Sequence, residues 1–218
     1  MTRILVSLAI SAVLAAAAVP AHAQQAAPAQ AAAQPAANSA SRLVLDNSTR
    51  ILSTLESRRA EFTRDRAALN RFIDNEFKQM FDRDYAARLV LGRHARGASD
   101  TDIKLFADAL TENLMSRYGA SLLGFNTQLR VRIKSEAPLP GNRGVRVASE
   151  MLRQGGEPIP VDYLMRRVGG QWQVFDVMVE GVSFVQTFRN QFDNPLSQRG
   201  IRAVAAELKS GEIQANAN

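Results

Sequence analysis

The chain contains no cysteine. That removes disulfides, thiolate metal sites and Cys-His nucleophiles together, and leaves nothing to carry a lipoprotein's acyl anchor. Histidine is nearly absent as well. Of the two, His22 lies in an amino-terminal leader and only His94 stands in the remainder, so paired-histidine metal sites are excluded. No Gly-x-x-x-x-Gly-Lys loop and no Gly-x-Gly-x-x-Gly turn occurs, which leaves nucleotide and dinucleotide binding without support. Residues 4–19 form an apolar run, and no other segment approaches its hydrophobicity.

Those first residues read as a secretory signal peptide, 1–23. Arg3 supplies the positive start, residues 4–19 the apolar run, and Ala21 and Ala23 the small residues before cleavage. The run falls short of the roughly 20 residues that a spanning helix needs. A protein soluble outside the cytoplasm is therefore expected. Removing the leader takes Arg3 with it and leaves 26 basic against 21 acidic side chains, a charge of +5. A basic surface suits anionic membranes or acidic partners. Nucleic acid is not expected as a partner, because the chain is exported and its arginines are spread rather than clustered.

Residues 24–40 are almost all Ala, Gln and Pro, without charge or aromatic rings. Such a tract has too little side-chain surface to offset the entropy of ordering, and is expected to be disordered. A single folded domain then spans 41–210, with 211–218 as a flexible tail. Helical spacing runs from Leu43 to about Phe125: Leu43 to Leu55, then Leu69, Phe72, Ile73, Phe77 and Phe81, then Tyr85 to Leu91. Ser99-Asp100-Thr101-Asp102 is a capping pattern that opens a further helix through Ile103, Phe106, Leu110, Leu114 and Tyr118.

Near Thr127 the period changes to two. Leu129, Val131 and Ile133 alternate with Arg130, Arg132 and Lys134; turns at Pro140-Gly141, Gly155-Gly156 and Gly169-Gly170 then separate three more strands. On the last of these, Trp172, Val174 and Met178 are expected on one face and Phe175, Val177 and Val179 on the other, both covered. Helical spacing returns with Phe184, Phe188 and Phe192, is broken at Asn194-Pro195, and resumes through Ile201, Val204 and Leu208. The fold class is thus α+β, with helices packed around an antiparallel four-stranded sheet.

Catalytic candidates reduce to His94 and the carboxylates Asp162, Asp176 and Glu180, none of them in a spacing that marks an acid/base pair. His94 beside Arg93 and Arg96 reads as a surface or packing residue, and the carboxylates as caps or arginine partners.

One segment is specific enough to name a family. Trp172, Asp176, Glu180, Gly181, Val182 and Ser183 stand as Trp-x-x-x-Asp-x-x-x-Glu-Gly-Val-Ser, which closely resembles a block of the MlaC-type proteins, periplasmic phospholipid carriers of the maintenance-of-lipid-asymmetry pathway, also called toluene-tolerance auxiliary proteins. Leu89-Val90-Leu91-Gly92, Ala98-Ser99, Phe106, Tyr118, Gly200-Ile201 and Leu208 resemble the family in order and spacing over 43–210. His94 departs from it, standing where the family tends to place an aromatic, and the Ala/Gln/Pro tract is longer than usual.

The resemblance implies an NTF2-like cone, a curved sheet wrapped by helices with a deep apolar cavity. It also implies a carrier without enzymatic activity, without cofactor or metal, monomeric, that holds phospholipid as cargo. Its partners would be an outer-membrane lipoprotein and porin complex and an inner-membrane ATP-driven lipid transporter. The cavity lining expected from the inward faces is Phe106, Leu110, Tyr118, Val147, Met151, Tyr163, Met165, Val177, Val179 and Phe188. The segment from Glu180 to Phe192, hinged at Gly181, is the candidate to close over acyl chains, the other reading being a fixed helix that caps the sheet. The alternatives are an NTF2-like envelope enzyme built on buried carboxylates, and a chaperone-like envelope protein with no lipid.

Overall fold

The computed structural model describes residues 36–118, 123 and 129–216. The expected signal peptide and most of the Ala/Gln/Pro tract lie outside them. Six α-helices are described: α1 (Ala40–Ser57), α2 (Arg59–Arg64), α3 (Arg66–Met80), α4 (Arg83–Leu91), α5 (Asp100–Tyr118) and α6 (Phe184–Ser210). The strands are β1 (Arg130–Pro138), β2 (Val145–Leu152), β3 (Ile159–Val168), β4 (Gln171–Val179) and β5 (Val182–Ser183). They form an antiparallel meander in sequence order. The sheet therefore has five strands, not four. The extra one is the two-residue β5, too short to show a period of its own. It exists because Glu180 (φ 51°) and Gly181 (φ 84°) both take the left-handed conformation that closes a two-residue hairpin after Val179.

Helix starts follow their caps. Ser39, Asp65, Asp82 and Ser183 each accept from the backbone N–H three residues on, and Ser99 Oγ accepts from Asp102 N at 3.1 Å, as its capping pattern requires. The helical stretch before Phe81 contains one break more than its apolar spacing suggests. Arg58, at φ −101° and ψ 14°, separates α1 from the short α2. In the last helix the interruption sits at Gly200 (φ 77°, ψ 173°), whereas Pro195 lies within the helix. A ψ near 180° combined with positive φ is available to glycine alone, so Gly200 is where the chain turns.

Three apolar clusters form the core. One joins α1 and the end of α3 to the sheet; a second joins α4, α5 and α6; a third joins the end of α1 to α2 and α3 around Phe62 and Leu69. Each fully buried Phe or Leu contributes on the order of 1.5–3 kcal/mol. The segment after α6 is not the free tail expected from its polar sequence. Ala215 is fully buried and its N–H donates to Asn113 Oδ1 at 2.9 Å, while Asn113 Nδ2 donates to the Leu208 and Ile213 carbonyls. One buried amide thus holds residues 213–215 against α5 and α6.

At the start of β2 a close approach demands glycine. A Cβ on Gly144 (φ 141°) would stand 1.9 Å from the Met165 carbonyl oxygen. Gly144→Ala is expected to destabilise the protein by about 3 kcal/mol, through strain and displacement of β3. The midpoint of urea unfolding measures it.

Candidate functional site

Two bulges decide which side chains share the sheet's inner face. In β1 the register shifts between Ile133 and Ser135, so Lys134 is the extra residue. In β4 it shifts at Phe175, because Leu164 pairs with Asp176 while Met165 pairs with Val174. A one-residue shift exchanges faces. Trp172 and Val174 therefore join Val177 and Val179 on the inner face, where simple alternation separates the two pairs. Cross-strand rows result: Val145, Met165 and Val174; Val147, Tyr163 and Val177; Ser149, Val161 and Val179; and Arg167 beside Trp172.

Helix α1 covers part of this face. Ala40 and Val44 are buried in the same cluster as Val147, Tyr163 and Met165, with Met80 and the partly buried Phe81 beside them. Several polar atoms there are matched. Ser41 donates from N and Oγ to Glu136 Oε2 at 2.8 and 2.6 Å, Ser149 Oγ donates to the Val161 carbonyl at 2.7 Å, and Tyr163 bonds Ser48. Burial pushes the Tyr163 phenol above its usual range, and the Ser48 bond opposes this. Val177, Val179, Met151, Ile159 and Trp172 are only partly buried. They are the uncovered part of the apolar strip.

The ten residues expected to line a cavity fall into separate places. Val147, Met151, Tyr163, Met165, Val177 and Val179 lie together on the sheet's inner face. Phe106, Leu110 and Phe188 belong to the cluster of α4, α5 and α6, with Phe106 edge-on to Phe192 at 5.9 Å. Tyr118 belongs to neither. It ends α5 half-buried, with Arg117 Nε donating to its oxygen at 3.2 Å. The phenylalanines of α6 consequently pack among helices, not over the sheet strip. Sequence reading left out Trp172, Val174, Val44, Met80 and Phe81; for the first two the deciding signal is the bulge at Phe175, which a strand apolar on both faces conceals.

The carboxylates are engaged in holding the fold. Asp162 is ion-paired with Arg146. Asp176 Oδ2 accepts from Ser183 Oγ at 2.6 Å and Oδ1 from Val185 N at 3.0 Å, while Ser183 Oγ accepts from Gln186 N at 3.0 Å. The Trp-x-x-x-Asp-x-x-x-Glu-Gly-Val-Ser block is thus the joint between β4, the Glu180-Gly181 turn and α6. Burial pushes the Asp176 carboxyl up, and the bonds from Ser183, Val185, Val177 and Phe184 pull against it. His94 Nε2 lies 3.0 Å from Asp193 Oδ1, next to the Arg93–Asp193 ion pair, and serves to hold the 3-10 turn Gly92–Ala95 on α6. Among the described residues no group of His, Cys, Asp and Glu is placed to hold a metal.

A family model described as MlaC protein matches residues 45–210. The chain is 24% identical over 166 residues to the toluene tolerance protein ttg2D of Pseudomonas putida, covering 76% of each. It is 21% identical over 175 residues to the intermembrane phospholipid transport system binding protein MlaC of Haemophilus influenzae, covering 79% of this chain and 81% of that one. A solved structure of the phospholipid-binding protein from Ralstonia solanacearum, in complex with a phospholipid, superposes with a TM-score of 0.69 at 20% identity, over 81% of this chain and 98% of that one.

The Asp176 joint has a measurable signature. With its pKa raised on folding, the carboxyl keeps its proton in the folded state where the unfolded state has lost it, so its ionisation counts against the fold as pH rises above the ordinary Asp range. Ser183→Ala removes a bond to the ionised form and the α6 cap. The expected loss is about 1–3 kcal/mol, larger at pH 7 than at pH 4, in parallel denaturant titrations.

Proposed function

The chain belongs to the MlaC protein family, and from that premise we propose that it is a periplasmic carrier that holds the acyl chains of a phospholipid against the sheet's inner face. In this reading it shuttles phospholipid between an outer-membrane lipoprotein and porin complex and an inner-membrane ATP-driven transporter, and so maintains the lipid asymmetry of the outer membrane. The observation that carries it is the apolar row of Trp172, Val174, Val177 and Val179, flanked by Met165, Tyr163 and Val161, of which Trp172, Val177 and Val179 are left partly open.

The energetics suit such a task. About 30 methylene groups at roughly 0.8 kcal/mol each make an unaided crossing of water prohibitive. Transfer from bilayer to an apolar protein face exchanges one dry environment for another and is far closer to neutral. The work is done by area and shape. With no nucleotide-binding motif in the chain, direction comes from the relative affinities of the partners and from ATP spent elsewhere.

Protein purified from a bacterial periplasm is expected to yield about one phospholipid per chain on solvent extraction and mass spectrometry. Val177→Glu places a carboxylate on the partly open strip, at a cost of several kcal/mol against a bound acyl chain. It should lower the recovered phospholipid at least tenfold while the circular dichroism spectrum stays that of the parent. Parent protein free of phospholipid would overturn the reading.

A further inference from the structure

Among the described residues, three side-chain atoms are buried without a hydrogen-bond partner: Glu76 Oε2, Glu207 Oε2 and Trp172 Nε1. Each glutamate has its other oxygen in an ion pair, with Arg50 or Arg199. Trp172 has no second polar atom, and an indole N–H can only donate. Left dry, such a donor costs about 1–3 kcal/mol. It is also the one unmatched polar atom of the cluster that includes the inner strip, where Tyr163, Ser149 and Ser41 are all bonded.

Its setting adds a second group. Trp172 pairs with Arg167 across the β3–β4 hairpin, whose turn residues Gly169 and Gly170 both have positive φ. The Arg167 guanidinium lies over the indole, 4.5 Å from its ring centroid, held there by donation from Nη1 to the Gly170 carbonyl at 2.9 Å. Arg167 is exposed and takes part in none of the ion pairs among the described residues. One end of the apolar strip thus presents a dry N–H donor with an uncompensated cation beside it.

A glycerophospholipid offers the complement of this pair in the same order. Its ester carbonyls, at the head of the acyl chains, accept hydrogen bonds and donate none. Its phosphate, one step outward, is an anion that guanidinium binds well. We propose that Trp172 Nε1–H and Arg167 seat the ester–phosphate end of the cargo, and that the acyl chains run from there along β4 toward Val179. The strip is long enough: the six ladder steps from the Trp172–Arg167 pair to the Val179–Val161 pair span about 20 Å at about 3.3 Å each, against about 15 Å for one leaflet's share of a bilayer's hydrocarbon core, and the cargo displaces what covers the fully buried Val174 on that path. This inference rests on the carrier reading and assigns its cargo a direction and a polar anchor.

Trp172 is the only tryptophan in the chain, so its fluorescence reads the site without labels. The full-length mature protein is loaded by exchange from vesicles of phosphatidylglycerol brominated either near the ester end or near the methyl end of an acyl chain, and bound lipid is quantified by mass spectrometry. Ester-end bromine is expected to quench Trp172 at least twice as strongly as methyl-end bromine at equal loading. Trp172→Phe keeps an aromatic ring and loses the donor, and should retain roughly tenfold less lipid after dilution, with Arg167→Gln weakening retention further. Equal or reversed quenching, or a Trp172→Phe variant that holds lipid like the parent, overturns the anchor while leaving the carrier function intact. A parent protein that takes up no phospholipid at all overturns both.

Discussion

A single extra residue in β4 organises the rest of the molecule. Without the bulge at Phe175, strict alternation would put Trp172 and Val174 on the face opposite Val177 and Val179, and neither face would be continuous. With it, those four residues align against Met165, Tyr163 and Val161. Phe175, displaced from the ladder, meets Tyr85 edge-on at 5.3 Å, and Tyr85 in turn lies beneath Arg166, whose guanidinium bonds Asp82 Oδ2. The distortion that completes the apolar strip also ties the start of α4 to the sheet.

A sheet that is apolar on one face must be covered or occupied. Here the covering is uneven. Helix α1 is clamped at its start by Ser41 and Glu136, and the shift at Lys134 is what turns Glu136 toward the face of Val147. Phe81 forms a single bridge to Val174, and Asp82 N donates to the Val174 carbonyl at 2.8 Å, so the end of α3 is fixed to the edge of β4. Between these anchors Val177, Val179 and Met151 remain half-open. The cluster of α4, α5 and α6 is filled by Phe106, Phe188 and Phe192 and strapped by Asn113.

The residues that identify the family act chiefly through the backbone. Asp176 and Ser183 satisfy the first donors of α6, Glu180 and Gly181 make the left-handed turn, and only Trp172 within the block reaches the strip. That division fits the proposed carrier, whose cargo would be held chiefly by its apolar chains. Burial of hydrocarbon asks for surface without direction, so the directional groups are free to be spent on joints between elements.

Much was legible in the chain itself. The cap at Ser99, the change of period after Thr127 and the glycine turns set an α+β class, and the lack of Cys and paired His excluded thiolate and paired-histidine sites, because these depend on local geometry and on residue type alone. The family block named the relatives for the same reason: its residues are constrained one by one by a turn and a cap. What only the tertiary structure decided was which apolar residues meet. Phe106, Leu110 and Phe188 carry the same hydrophobic signal as Val147 and Tyr163, yet they fill a different cluster. Burial is blind to which partner provides it, and a bulge in a strand apolar on both faces leaves no mark on the alternation. Side-chain identity set how much surface would be hidden; the register of β4 set against what.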